Sequence, residues 1–197
     1  MRQAALRRRR VVRRALLGLL AAAWLPHLPA SADEWSVDQA ASTVAFEGRE
    51  NGVLFQGRFE RFVADIRFDP DALDASHVTV VVDTASFNSG VAERDEIATG
   101  VYWFEVDVFP DARFEAHDFT HIGDNLYEAT ADLTIRDQTV PVVFPFELAI
   151  DGDTAHVRGE VVLNRRQFRL GRGDGDIELV VGLSVPVTVE LTATRSN

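Results

Sequence analysis

Apolar side chains alternate with polar ones along most of the chain that follows Asp33. A period of two places every second side chain on the same face of an extended strand, so each run predicts a strand with one buried face. Helical spacing is close to absent, which indicates an all-β fold. The apolar members of the clearest runs are Val44 and Phe46; Phe55 and Phe59; Phe62, Ala64, Ile66 and Phe68; Val78, Val80 and Val82; Ala131, Leu133 and Ile135; Val142, Phe144, Phe146 and Leu148; Val157, Val161 and Leu163; and Leu183, Val185, Val187, Val189 and Leu191.

Short polar or glycine-rich stretches separate these runs and are typical of turns. Runs with this spacing favour one antiparallel domain, either a sandwich or a closed barrel. The alternation slips by one residue at Glu60-Arg61, which predicts a β-bulge in a long, bent strand. One helix is predicted, a short one from about Ala92 to Ala98.

Phenylalanine is concentrated on the predicted inner faces. A barrel of about eight strands is just wide enough to be filled by its own side chains or to hold one slender ligand. Periodicity assigns each ring to a face but does not give the distance between rings across the interior. Both alternatives, a packed core and a ligand cavity, therefore stay open. The inward phenylalanines, seven of the 13 in the chain, are Phe46, Phe55, Phe59, Phe62, Phe68, Phe144 and Phe146.

Residues 1–32 are predicted to be a secretory signal. Six arginines between Arg7 and Arg14 precede an apolar stretch from Ala15 to Leu25, and Ala30-Ser31-Ala32 offers small residues for cleavage. The apolar stretch is about half the ~20 residues of a membrane-spanning helix. We therefore expect a periplasmic or secreted protein whose single domain covers residues 33–197.

Charge and cysteine content exclude several function classes. All 20 basic residues are arginine, and seven of them precede Asp33, so 13 arginines face 31 acidic residues after the signal, a net charge near −18. Such a surface repels nucleic-acid phosphates and the head groups of an anionic membrane, so we expect no nucleic-acid partner and no peripheral membrane role. The absence of cysteine excludes thiol catalysis, disulfides, iron–sulfur clusters and CxxCH haem attachment.

No motif reaches the quality expected of a catalytic or metal site. His117 and His121 share a predicted strand face, but about 13 Å of strand separates them, too far for one metal ion. Gly171 to Asp176 is similar in composition to a calcium loop but lacks a bidentate Glu at the required spacing, so a flexible hairpin turn is the favoured interpretation. Ser86 and Ser89 have no GxSxG elbow around them. We therefore predict no catalytic residue, metal ligand or cofactor.

Two features near the predicted helix are candidates for one end of a barrel. Tyr102, Trp103 and Phe104 are adjacent and lie outside any strand alternation, so they either plug the barrel or form a pocket mouth. Arg94 and Asp95 either contact a ligand head group or form an ion pair that holds the helix to the barrel rim.

Nine short segments occur in a recognisable order between Trp35 and Thr194, one of them Glu93 to Asp95. The other eight are Trp35 to Asp38, Ser42 to Phe46, Gly57 to Phe62, Ile66 to Pro70, Val82 to Phe87, Trp103 to Val106, Phe109 to Phe114 and Asp132 to Ile135. Each segment is short, but together and in this order they resemble the YceI-like family of exported bacterial proteins. The family's Phe-Asp-Val segment reads Phe104-Glu105-Val106 in this chain.

The resemblance implies an eight-stranded antiparallel, lipocalin-like barrel with a small helix. Members of that family bind polyisoprenoids or isoprenoid quinone-like lipids inside the barrel; homodimers are known, and some relatives occur beside membrane b-type cytochromes. We therefore expect a non-catalytic carrier of one long-chain isoprenoid lipid. The residues expected to contact it are Phe46, Phe55, Phe59, Val80, Val82, Phe87, Trp103, Phe104, Phe114, Leu133, Ile135, Phe144, Phe146, Val161, Leu163 and Val187.

Two other hypotheses lead to different interiors. An enzyme that acts on lipid or quinone in the same barrel needs a polar group with a strongly perturbed pKa deep in the cavity. An interaction or stress-response scaffold has a filled core and an exposed apolar patch. A lumen packed solid would exclude the carrier.

Overall fold

The computed structural model describes residues 32–196, and strands make up most of them. The predicted signal lies outside the described residues apart from Ala32. Helices are Ala92–Thr99 (α1) and Asp176–Val180 (α2). The strands are Glu34–Val37 (β1), Thr43–Glu50 (β2), Val53–Phe59 (β3), Phe62–Arg67 (β4), His77–Asp83 (β5), Phe87–Asn88 (β6), Asp111–Gly123 (β7), Leu126–Ile135 (β8), Gln138–Asp151 (β9), Thr154–Asn164 (β10) and Ser184–Arg195 (β11).

The strands close into a ring in which every pairing is antiparallel. Around the ring the order is β1, β4, β5, β7, β8, β9, β10 and β11, and β11 pairs again with β1. The strand β2 continues β1 along the edge of β11, and β3 continues β4 after a short break. Eight strands therefore enclose the interior, with the first two interrupted, which confirms the predicted antiparallel barrel.

The predicted bulge at Glu60-Arg61 is a full interruption between β3 and β4. The backbone N–H of Glu60 donates to the carbonyl of Ser86 at 3.1 Å, and that of Arg61 donates to Ser86 Oγ, also at 3.1 Å. Ser86 is buried and its hydroxyl donates to the carbonyl of Asp83 at 2.6 Å. The backbone N–H groups of Glu60 and Arg61, which do not pair with a neighbouring strand, therefore have hydrogen-bond acceptors, as buried backbone groups require.

One end of the barrel, called the closed end here, is packed with aromatic rings. It is the end at which β1 begins and β11 ends. The ring centroid of Phe68 lies 5.2 Å from that of Phe119, 5.7 Å from that of Tyr127 and 6.1 Å from that of Phe146. The indole N–H of Trp35 donates to the carbonyl of Phe68 at 2.9 Å. These side chains are buried and form a core that seals this end.

The opposite end, called the mouth here, carries the β2–β3 turn, α1 and α2. Helix α1 confirms the predicted helix. The predicted turn from Gly171 to Asp176 ends where α2 begins, and the sequence gives no prediction for this helix because five residues are too few for a periodic signal. Within residues 32–196, no helix has the length and apolar character that a membrane crossing needs.

The barrel wall is least continuous near the mouth, between β9 and β10. These strands pair over Thr154–Gly159 of β10, and the described pairing stops there, whereas β10 pairs with β11 along its whole length. The part of β9 beyond the pairing contains Pro141 and Pro145, which have no N–H to donate. Prolines are tolerated at strand edges for that reason, so the sequence itself favours this break in the ladder.

Candidate functional site

The barrel interior holds a cavity of about 530 Å³, which lies between the aromatic core of the closed end and the mouth. A volume of this size is within the range of ~300–1,000 Å³ that small-molecule sites occupy. The interior is therefore hollow, and the alternative of a packed core is wrong.

The cavity wall includes all sixteen side chains that were expected to contact a lipid. Their contact with a ligand stays a prediction. Toward the closed end lie Phe114, Phe144 and Phe146. The mouth half of the wall contains Phe59, Val82, Phe87, Trp103, Phe104, Leu133, Ile135 and Leu163. The other five are Phe46 and Phe55, whose rings contact each other, and Val80, Val161 and Val187 of β5, β10 and β11.

The aromatic rings lie in two groups and do not meet across the axis. On one side of the mouth, the Phe46 centroid is 4.7 Å from that of Phe87 and 5.6 Å from that of Phe59, which is 5.7 Å from that of Phe104. The second group is the one that packs the closed end. Among residues 32–196, no ring pair joins the two groups. The space between them is lined by aliphatic side chains.

Glycines on the wall make room for these rings, a feature that the sequence reasoning missed. Gly57 faces Phe46 across the β2–β3 pair, and Gly48 faces Phe55. A Cβ added at Gly57 would contact the Phe46 ring and would lie 2.7 Å from the carbonyl oxygen of Asn88. The missing side chains let the rings lie flat against the backbone instead of projecting into the lumen. The alternation of Gly and Phe on neighbouring inward positions was the signal for this arrangement.

The aromatic cluster after α1 is divided between the wall and the surface. Trp103 and Phe104 line the cavity, and Phe104 is buried, whereas Tyr102 is exposed. The indole N–H of Trp103 donates to Asp174 Oδ2 at 2.7 Å, and the Trp103 ring packs against Gly171. The glycine-rich loop that was compared with a calcium site thus positions Trp103. No group of three or more metal-ligating side chains occurs among the described residues.

Glu105, the residue that departs from the family's Phe-Asp-Val segment, occupies a left-handed turn with φ of 51°. Its carboxylate pairs with the guanidinium of Arg136, and both side chains are mostly buried. Its carbonyl accepts from the N–H groups of Val108 and Phe109 at 2.9 Å. The ion pair and the turn together hold the neighbouring Phe104 ring against the cavity.

Among residues 32–196, the charged side chains that line the cavity all lie at the mouth. They are Glu50, Glu93, Arg94 and Arg165; the rest of the lining is glycine, alanine, larger aliphatic residues, phenylalanine and tryptophan. Arg94 Nη2 lies 3.1 Å from Glu50 Oε2, and its guanidinium lies 4.0 Å from the centroid of Phe55. This pair joins α1 to the end of β2.

The predicted ion pair between Arg94 and Asp95 is wrong. Asp95 instead accepts from the backbone N–H of Ser89 at 2.8 Å and from its hydroxyl at 2.6 Å. Adjacent helical residues point to different sides of a helix, so Asp95 turns toward the preceding loop while Arg94 turns toward the barrel. The proposed attachment of the helix to the rim exists, with Glu50 as the acid.

Arg165, a wall residue that the sequence reasoning missed, follows β10 on a short turn and is buried with 3% of its surface exposed. Its guanidinium donates to four backbone carbonyls, of Leu170, Glu178, Val181 and Gly182, at 2.6 to 3.0 Å. Burial lowers the pKa of Arg165, and the nearby charge of Arg166 adds to that effect. The last three carbonyls belong to α2 and the residues after it, so Arg165 satisfies groups that a helix end leaves unpaired.

Comparison with known sequences identifies relatives of this chain. A family model described as YceI-like domain matches residues 35–193. A UPF0312 protein of Vibrio parahaemolyticus is 32% identical over 177 residues, which cover 88% of this chain and 92% of the relative.

Two solved structures have similar folds. The structure of BcnA from Burkholderia cenocepacia superposes with a TM-score of 0.76 at 29% identity, covering 81% of this chain and 100% of BcnA. A polyisoprenoid binding domain from Saccharophagus degradans superposes with a TM-score of 0.68 at 17% identity, covering 83% of this chain and 99% of that domain.

Proposed function

This chain belongs to the YceI-like domain family, and on that premise we propose that it is a non-catalytic carrier or store that binds one long apolar lipid inside the barrel. The observation that carries the proposal is the cavity of about 530 Å³ in an eight-stranded barrel whose lining is apolar below the mouth. The two groups of rings leave this space open instead of filling it. An apolar chain bound in this space fills the volume that core side chains leave empty.

The chemistry of the wall fits a flexible hydrocarbon tail. Each methylene removed from water contributes about 0.8 kcal/mol, and ordering the torsions of the tail opposes part of that gain. Below the mouth, the described residues of the wall include no charged side chain that would require a matching group on the tail. We therefore expect selection by length and girth, with about 1–3 kcal/mol for each methylene that the cavity cannot accommodate.

An isoprenoid tail is the lipid class that we propose. The phenylalanines and β-branched valines of the wall contact such a tail without directional bonds. The solved domain from Saccharophagus degradans, which shares the fold, is described as polyisoprenoid binding. The cargo is then a polyprenyl lipid or an isoprenoid quinone, and a quinone would connect the protein with membrane b-type cytochromes.

We also propose that the protein is exported and acts in the periplasm or outside the cell. The arginine-rich and apolar character of residues 1–32 supports this proposal. Fractionation of the native host and N-terminal sequencing of the protein provide the test. A mature N-terminus at Asp33 in the periplasmic or secreted fraction is the expected result, and an intact N-terminus confined to the cytoplasm would contradict export.

The binding proposal is tested by extracting the purified protein with organic solvent and identifying the released molecules by mass spectrometry. We expect an isoprenoid lipid in about equimolar amount. Val161 and Val162 offer a matched pair of variants, because Val161 lines the cavity and Val162, its neighbour on β10, is 59% exposed. Val161→Trp fills part of the lumen and should lower the lipid recovered, whereas Val162→Trp should leave it unchanged.

A protein that releases no lipid, even after incubation with isoprenoid lipids, would refute the carrier. Equal lipid recovery from the two valine variants would place the lipid outside the cavity.

A further inference from the structure

Arg165 is the one charged side chain among residues 32–196 that is buried, and it lines the cavity at the mouth. Its Nε donates to the carbonyl of Gly182, Nη1 donates to that of Leu170, and Nη2 donates to those of Glu178 and Val181. A guanidinium has five N–H groups. Four hydrogen bonds to the described residues leave one N–H of Nη1 without an acceptor.

The positive charge of Arg165 has no carboxylate partner within the described residues. Among residues 32–196 no ion pair involves Arg165. The carboxylate of Glu178 lies 3.1 Å from Arg166 Nη2 and accepts from the backbone N–H of Gly173. Four carbonyl dipoles face the guanidinium, and the negative charge of Glu178 acts on it without forming an ion pair. A buried cation that is stabilised in this way still attracts an anion strongly, because the surroundings screen the attraction poorly.

The other charged residues of the lining do not compensate Arg165. Arg94 is paired with Glu50, so that pair contributes little net charge. Glu93 is exposed on α1 and can be screened by solvent. The ring centroid of Trp103 lies 5.2 Å from the guanidinium carbon, and the indole carries no charge.

We infer that the bound lipid carries an anionic head group, a phosphate or a carboxylate, which contacts Arg165 at the mouth while the tail extends toward the closed end. This inference rests on the proposed function and adds the head-group class and the orientation of the cargo. The spare N–H donates to the head group, since arginine binds phosphate and carboxylate oxygens well. The opposite orientation places an anion among the aromatic rings of the closed end, where none of the lining residues that the structure describes is charged.

The test compares geranylgeranyl monophosphate with geranylgeraniol, which have the same tail. Binding of each to the delipidated protein is measured by isothermal titration calorimetry. We expect the phosphate to bind at least tenfold more tightly. Arg165→Gln should reduce that preference to less than about threefold while geranylgeraniol still binds. Arg166→Gln is the matched control, because it removes the same charge one residue away from a side chain that is half exposed, and it should keep the preference.

The outcomes separate this inference from the proposed function. If the wild-type protein binds both lipids equally, the head-group inference fails and the proposed lipid-carrier function is retained. This comparison uses the wild-type protein alone, so it tests the inference even if Arg165→Gln does not fold. If neither lipid binds, the proposed function itself fails. Inorganic phosphate at the same concentration should not bind, and binding as tight as that of the lipid phosphate would show a site for free anions and overturn the inference.

Discussion

Gly48 and Gly57 each lie under a phenylalanine ring on the inner wall, but alanine at the two positions should have different effects. The three atoms nearest to a Cβ at Gly48 all belong to the Phe55 ring, two of them at 2.7 and 3.0 Å. A ring can rotate away, so this change is inexpensive. A Cβ at Gly57 would meet the Phe46 ring and also the carbonyl oxygen of Asn88 at 2.7 Å, and the backbone cannot move as easily.

The two contributions can be compared in magnitude. Replacing a strand glycine by alanine stabilises by about 0.5–1 kcal/mol through lower chain entropy. Overpacking against backbone costs about 1–3 kcal/mol. We therefore expect Gly48→Ala to lie within about 1 kcal/mol of the wild-type free energy of unfolding, and Gly57→Ala to be destabilised by about 1–2 kcal/mol. For a domain of this size that loss lowers the Tm by about 2–8 °C.

Urea unfolding followed by circular dichroism measures both free energies, and lipid extraction measures occupancy in the same samples. Gly57→Ala should also bind less lipid, because the displaced Phe46 ring projects into the lumen. If Gly57→Ala is as stable as Gly48→Ala and binds as much lipid, the rings do not depend on the glycines and the reasoning is refuted.

Three further changes test particular contacts around the mouth. Glu60 accepts hydrogen bonds from Asn88 and Arg58, and these bonds lower its pKa below the ordinary 4.5. The stabilisation from these bonds is therefore present above pH 4.5 and is lost as the pH falls through the lower pKa of the folded state. Urea midpoints should show Glu60→Gln less stable than wild type at pH 7 and indistinguishable from it at pH 2, and a difference that persists in acid would contradict this. Glu105→Gln removes the charge that pairs with Arg136 and should cost about 1–3 kcal/mol in thermal unfolding; an unchanged Tm would show the pair to be neutral. Arg94→Gln removes the partly exposed ion pair between α1 and Glu50 of β2 and should change the free energy of unfolding by less than about 1 kcal/mol. The same change should accelerate lipid exchange between labelled protein and vesicles. An unchanged exchange rate would show that this ion pair does not control entry of lipid into the cavity.

The strands, the inward phenylalanines and helix α1 could be predicted because each depends on local alternation or on the residues around a turn. Most wall residues followed from the same alternation: Val161 and Val187 point inward because their neighbours point outward. Trp103 and Phe104 lie outside the alternation and were candidates as part of an aromatic cluster. The size of the space between the walls could not be predicted. It depends on how rings such as Phe46 rest on glycines of neighbouring strands, which is a property of the closed sheet.

The charged groups of the mouth were less predictable, for a physical reason. Arg94 pairs with Glu50, a residue 44 positions earlier, and sequence proximity favoured the wrong acid, Asp95. Arg165 has no distinguishing pattern around it in the sequence. Its burial follows from four carbonyls that α2 and the nearby turns bring together, and a helix of five residues has too little periodicity to be found beforehand.

Native mass spectrometry of the intact, non-delipidated protein tests the central claim most directly, because it counts ligands per chain without assuming their identity. The account predicts one chain with one bound lipid, whose mass is lost when the complex is activated in the gas phase. A protein that carries only its own polypeptide mass, and gains none after exposure to isoprenoid lipids, would contradict it.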